Sequence, residues 1–178
     1  MLFTAGRTGG KNTLSRNISA LESLARLREN SKLLKLGISD SHLGISDVYI
    51  RIGNQIVEIE TKAGTEFFTN VAGSSSNFAK QSYNSLKNVA STGNYKVFLR
   101  KDILETLDVT KAKDKVIEAW SKFENGAILT DPKIRSQFTA FARKKLNNPN
   151  ILNFSRSQLE AFLKTNDDWF VTIFKDNF

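Results

Sequence analysis

The chain of 178 residues contains no cysteine, which excludes disulfide bridges, thiolate metal sites and cysteine nucleophiles together. A single histidine, His42, rules out a metal centre built from several imidazoles of one chain. No stretch approaches the ~18 consecutive apolar residues needed to cross a bilayer, and residues 1–30 lack the unbroken apolar core of a secretory signal. A soluble folded form without a membrane span is therefore expected. With 40% hydrophobic and 25% charged residues, the chain fits one ordinary domain with a real core. Twenty-six Lys and Arg against eighteen Asp and Glu leave a net charge of +8 and a pI near 9.7. Such a surplus points to a polyanionic partner, nucleic acid first.

Residues 1–12, with Gly6, Gly9 and Gly10 close together, read as a loose arm, and 13–178 as a single domain. Ile18, Leu21, Leu24, Ala25, Leu27 and Leu34 recur at helical spacing, which predicts a first helix from Thr13 to Leu36, stopped by Gly37. Residues 47–53 and 55–62 switch to Val- and Ile-rich strand chemistry around the turn signal Gly53-Asn54. Asn77–Ala90 reads as helix and Tyr95–Arg100 as strand. Helical stripes follow over 110–124 and 132–146, and Ser155 with Gln158 forms a capping box for a short helix to about Lys164. Trp169–Phe174 reads as a closing strand, while Trp120 and Trp169 lie in apolar patterns that suit the core. Mixed order of this kind implies an α/β sheet with helices on its faces, and 103–178 reads as a mainly helical elaboration of the same domain, with a separate helical subdomain as the alternative.

If Gly53 and Asn54 are the central turn residues, Ile52 faces Gln55 and opposed positions sum to 107, so Asp47 lies across from Glu60. Two opposed carboxylates repel, so a positive group should stand between them. Lys62 shares the face of Glu60, and the other face carries Val48, Ile50, Ile52, Val57 and Ile59 as core. Glu58 shares the acidic face but, across from Tyr49, reads as structural. Magnesium and manganese prefer carboxylate, carbonyl and water oxygens, so Asp47, Glu60 and the carbonyl of Thr61 suit such a cation. With Lys62 beside the water, the chemistry is in-line hydrolysis of a phosphodiester. Asp40 competes with Asp47 but reads as a turn residue, and His42 reads as surface. Lys111, Lys113, Lys115, Arg135, Arg143, Lys144 and Lys145 form a collective candidate surface for phosphates. The run Ser74-Ser75-Ser76 reads as a cap for the helix after it.

Asp47, twelve intervening residues and then Glu60-Thr61-Lys62 at the end of a hydrophobic hairpin resemble the PD-(D/E)xK nuclease signature of restriction endonucleases, Holliday junction resolvases and contact-dependent toxins. The resemblance implies a restriction-endonuclease-like mixed sheet over roughly 15–100: a helix, a three-strand meander, a helix and a further strand. It also implies a metal-shell Glu on the first helix, for which Glu22 is the best match and Glu29 the alternative. Lys80-Gln81 match a substrate-contacting pair on the helix after the motif. Two features depart from the pattern: Ser46 stands where the family often has Pro, and 37–46 shows no obvious first strand. Implied with it are Mg2+ or Mn2+ as cofactor and DNA or tRNA as substrate. The long helical extension suits a toxin domain, acting in the cytoplasm after delivery within a secreted chain and held by an acidic immunity protein. A junction-resolving or repair endonuclease and a non-catalytic basic nucleic-acid-binding protein are the alternatives.

Overall fold

The computed structural model describes residues 31–36, 48–52, 54–62, 77–99 and 101–175. Four strands form one sheet: β1 Ser31–Leu36, β2 Val48–Ile52, β3 Gln55–Lys62 and β4 Tyr95–Leu99, in the order β1-β2-β3-β4. Strands β1, β2 and β3 pair antiparallel in succession, and β4 joins β3 in parallel. A parallel partner requires a crossover, and helix α1, Asn77–Asn88, lies within it. The hairpin register is the one its turn predicts: Ile52 faces Gln55 and Val48 faces Ile59.

The first helix does not run to Leu36. Ser31–Leu36 is strand, paired from Ser31 opposite Ile52 to Leu36 opposite Val48, with a register shift between Leu33 and Lys35. The segment Ser-Lys-Leu-Leu-Lys-Leu is too short for its apolar spacing to separate helix from strand, and pairing with β2 satisfies its backbone groups. The first strand of the meander thus lies upstream of Gly37. Residues 13–30, the rest of the expected helix, are outside the described residues.

Beyond β4 the chain is helical: α2 Lys101–Glu105, α3 Val109–Lys122, α4 Ala127–Thr130, α5 Pro132–Lys145, α6 Arg156–Thr165 and α7 Asp168–Phe170, ending in a π-helical turn, Val171–Lys175. The three longest of these helices, α3, α5 and α6, open on a side-chain cap that satisfies otherwise orphaned backbone N–H groups. Asp108 accepts from the Lys111 backbone N–H, and Asp131, just before Pro132, accepts from those of Lys133 and Ile134. Ser155 and Gln158 close the capping box reciprocally.

The closing strand expected over Trp169–Phe174 is instead helical, α7 and the turn after it. Trp169, Phe170, Ile173 and Phe174 are all fully buried. A strand would send neighbours such as Trp169 and Phe170 to opposite faces, whereas helical winding brings i, i+1, i+4 and i+5 onto one side. That side meets the core: Trp169 lies 5.3 Å from Trp120 between ring centroids, and Phe174 stacks on Phe170 at 4.5 Å. Trp120 and Trp169 are thus core residues. A continuous cluster of buried side chains runs from Phe78 and Leu86 of α1 through Tyr95, Val97 and Leu99 of β4 to Phe174. Among the described residues no helix is long and apolar enough to cross a membrane.

Candidate functional site

Strand β3 lies inside the sheet, with β2 on one side and the parallel β4 on the other. Val57 and Ile59 are buried, as core, but the acidic face is buried too: Glu58 is 5% and Glu60 1% exposed. Strand alternation and the parallel register, Glu58 with Tyr95 and Glu60 with Val97, put these acids on the sheet face that also carries Tyr95 and Val97. There the Tyr95 and Ser82 hydroxyls are 3.1 Å apart, tying β4 to α1. Neither carboxylate is a solvated strand-edge group.

Position along the strand matters as much as burial. β3 and β4 run in the same direction and end together, Lys62 beside Leu99. Glu60-Thr61-Lys62 therefore occupies the carboxyl end of a parallel pair, the end at which open α/β sheets bind ligands. Thr61 and Lys62 belong to β3 by backbone and register. Asp47, the residue before β2, and Glu22, Glu29, Asp40, His42 and Ser74–Ser76 lie outside the described residues. Among the described residues, no three or more Asp, Glu and His side chains gather as a metal-binding group.

The basic candidates divide by what they touch. Lys80 is exposed on α1 and Gln81 is half-buried beside it. Lys144 and Lys145 are exposed at the end of α5, Lys145 with its ammonium 5.9 Å above the Phe141 ring. Arg143 donates through Nε to the Ile151 carbonyl at 2.7 Å and so holds the loop after α5. Arg135 donates to the Phe154 carbonyl at 3.3 Å. Lys111 and Lys115 pair with Asp108 and Glu118. Lys113 leaves the phosphate-facing set: its side chain is buried, donating to Asp167 at 2.5 Å and to the Lys164 carbonyl at 2.8 Å, so it bolts α3 to the end of α6.

Lys96 is the buried cation that the sequence pattern does not mark. It sits in the middle of β4, on the face opposite Tyr95 and Val97, and donates to the Thr172 carbonyl at 2.6 Å. That carbonyl belongs to the π-helical turn, a winding that departs from the regular α-helical ladder. The only hint in the sequence is a lysine inside an otherwise apolar alternating run. Comparison with known proteins finds no match: no family model, no curated sequence and no solved structure matches the chain.

Proposed function

We propose that the chain is a metal-dependent nuclease that hydrolyses phosphodiester bonds in DNA or RNA, built on a restriction-endonuclease-like sheet. The observation that carries the reading is Glu60, almost wholly buried on an interior strand and two residue pairs before the carboxyl end of a parallel strand pair. Withdrawing a carboxylate from water costs several kcal/mol, roughly, before partners offset it, and such sites are commonly functional. Supporting it are the strand order, the crossover helix between β3 and β4, and a register that ends at Val48 opposite Ile59 with Asp47 next in the chain.

The donor set suits a hard divalent cation: Glu60, Asp47 and the Thr61 carbonyl supply oxygen, and the chain has no thiol to offer. Mg2+ or Mn2+, when bound, supplies Lewis acidity and a more acidic water. In this reading Glu22 completes the oxygen set. Lys62 offsets phosphate charge and orients the attacking water. Water forms the new P–O bond as the bond to the leaving oxygen breaks, and the leaving oxygen takes up a proton. Lys80, Gln81, Lys144 and Lys145 hold the nucleic acid, and Arg143 shapes the loop beside it. The toxin assignment and cytoplasmic action belong to the same proposal and rest on the long helical extension after the sheet, while the acidic immunity partner rests on the surplus of positive charge.

The test is incubation of the protein with plasmid, branched DNA and total tRNA, each with magnesium, manganese or chelator. Cleavage that chelator, Glu60→Gln and Lys62→Ala each abolish is the expected result. Failure to cut any substrate overturns the enzyme reading, and salt-sensitive binding without cleavage puts a non-catalytic binding protein in its place.

A further inference from the structure

Residues 132–159 hold six Lys and Arg (Lys133, Arg135, Arg143, Lys144, Lys145 and Arg156) and no Asp or Glu. The rest of the span 101–178 holds seven against eleven, so the helical region is polarised, with its positive charge gathered on α5 and the first residue of α6, while the loop between them carries no charged residue. None of the six joins a salt bridge among the described residues. Three of them donate to carbonyls instead: Lys133 to Lys87, Arg135 to Phe154 and Arg143 to Ile151. A carbonyl satisfies the donor and leaves its charge uncompensated.

The loop between α5 and α6, 146–153, follows directly on Arg143, Lys144 and Lys145 and is pinned. The Asn148 backbone N–H donates to the Arg143 carbonyl at 3.0 Å, Arg143 grips Ile151, and the Phe154 N–H donates to the Thr139 hydroxyl at 2.9 Å. Yet Leu146 is 52% and Leu152 80% exposed, the latter the most exposed large apolar side chain among the described residues. Four of the eight loop residues are asparagines: Asn147, Asn148, Asn150 and Asn153. Amides interleaved with leucines suit a surface of hydrogen-bonding edges better than an acyl layer, which favours a continuous apolar face. Exposed ammonium groups, amides and one aliphatic side chain are the set with which proteins grip phosphates, read base edges and press on a base step.

We propose that loop 146–153 is a docking element for base-paired nucleic acid, with Lys144 and Lys145 on phosphates, the asparagine amides toward base edges and Leu152 against the bases. The inference rests on the nucleic-acid side of the proposed function but not on catalysis.

It is tested with full-length Glu60→Gln protein in chelator, titrated into a labelled duplex and its single strand while anisotropy is read at several salt concentrations. Lys144→Ala with Lys145→Ala should weaken duplex binding several-fold and reduce the magnitude of the salt slope by about two. Leu152→Ala should weaken it about tenfold at unchanged slope and remove any unstacking signal from a 2-aminopurine placed in the duplex. All three side chains are exposed, so circular dichroism should show the fold intact. Duplex binding that ignores all three substitutions overturns the proposal, as does preference for phosphatidylserine-rich vesicles that the duplex does not displace. Loop-dependent binding by a wild type that cuts nothing keeps this inference and removes the nuclease. Cleavage by a wild type whose loop variants bind normally does the reverse.

Discussion

At Asp131 one carboxylate serves two structures. It caps α5 through the Lys133 and Ile134 backbone N–H groups, and it takes the Tyr83 hydroxyl at 3.4 Å and the Lys87 ammonium at 3.5 Å from α1. Burial pushes its pKa up, but the Ile134 and Lys133 N–H groups and then Lys87 outweigh that, so the net position is below the usual aspartate value of 3.8. On the other side of the pair, the Tyr83 hydroxyl and then Asp131 hold the Lys87 ammonium above its ordinary range. A carboxyl whose folded pKa is depressed adds stability that is present above the unfolded value and is lost as pH falls through the folded one. Thermal or urea unfolding should therefore show an acid-side loss, below about pH 4, that Asp131→Asn reduces while keeping the cap, the rest coming from other carboxylates with lowered pKa such as Asp108, Glu118 and Glu160. Asp131→Ala should cost about 1 kcal/mol at neutral pH. Identical acid profiles for wild type and Asp131→Asn would remove the carboxylate from this role.

Element boundaries show what the amino-acid pattern could and could not specify. Helix starts were legible because caps are local chemistry: Asp131-Pro132 and the Ser155/Gln158 box each need only four residues to declare themselves. The hairpin was legible because Gly53-Asn54 fixes a register, and one register orders every pair up to Val48 and Ile59. Two apolar segments read wrongly because their outcome depends on what they meet. Ser31–Leu36 became strand once β2 offered its backbone, and Trp169–Phe174 wound into a helix because four large side chains had to reach one core. The candidate site divides the same way: Glu60 was marked by spacing, while its burial and that of Glu58 and Lys96 come from the parallel partner β4 and the turn at Thr172. The link between α3 and α4 adds a prediction of its own. Glu124, Asn125 and Gly126 all have positive φ, and a Cβ on Gly126 at φ 84° would come within 2.9 Å of the Arg156 guanidinium. Left-handed backbone costs an L-residue roughly 1–2 kcal/mol, so Gly126→Ala should lower stability by about that much in urea unfolding. A neutral effect would mean that the arginine moves aside and the turn reshapes.

Across the whole molecule charge is unevenly placed, which raises the question of what the buried acids of β3 are for. Residues 1–100 hold thirteen Lys and Arg against seven Asp and Glu, whereas 101–178 hold thirteen against eleven. Most of the surplus thus sits in the half that forms the sheet, yet two of that half's few acids are buried there on one face of one strand. Two explanations give opposite signs for a single substitution. If Glu60 is held as part of a structural ion pair, Glu60→Gln strands its partner and lowers stability. If Glu60 is kept charged for a cation, the folded protein carries repulsion with Glu58 on the same face and a desolvation cost, so neutralising it in chelator should raise the melting temperature. A gain of about 1 kcal/mol would correspond to roughly 2–4 °C for a chain of this size. Magnesium or manganese should then stabilise wild type, by about 2.7 kcal/mol at a hundred times its dissociation constant, and leave Glu60→Gln unmoved. Differential scanning fluorimetry of both proteins, with chelator and with each cation, reads the two signs without any substrate. A lower melting point for Glu60→Gln, with no cation response in wild type, makes the buried acid a piece of the scaffold and withdraws it from catalysis.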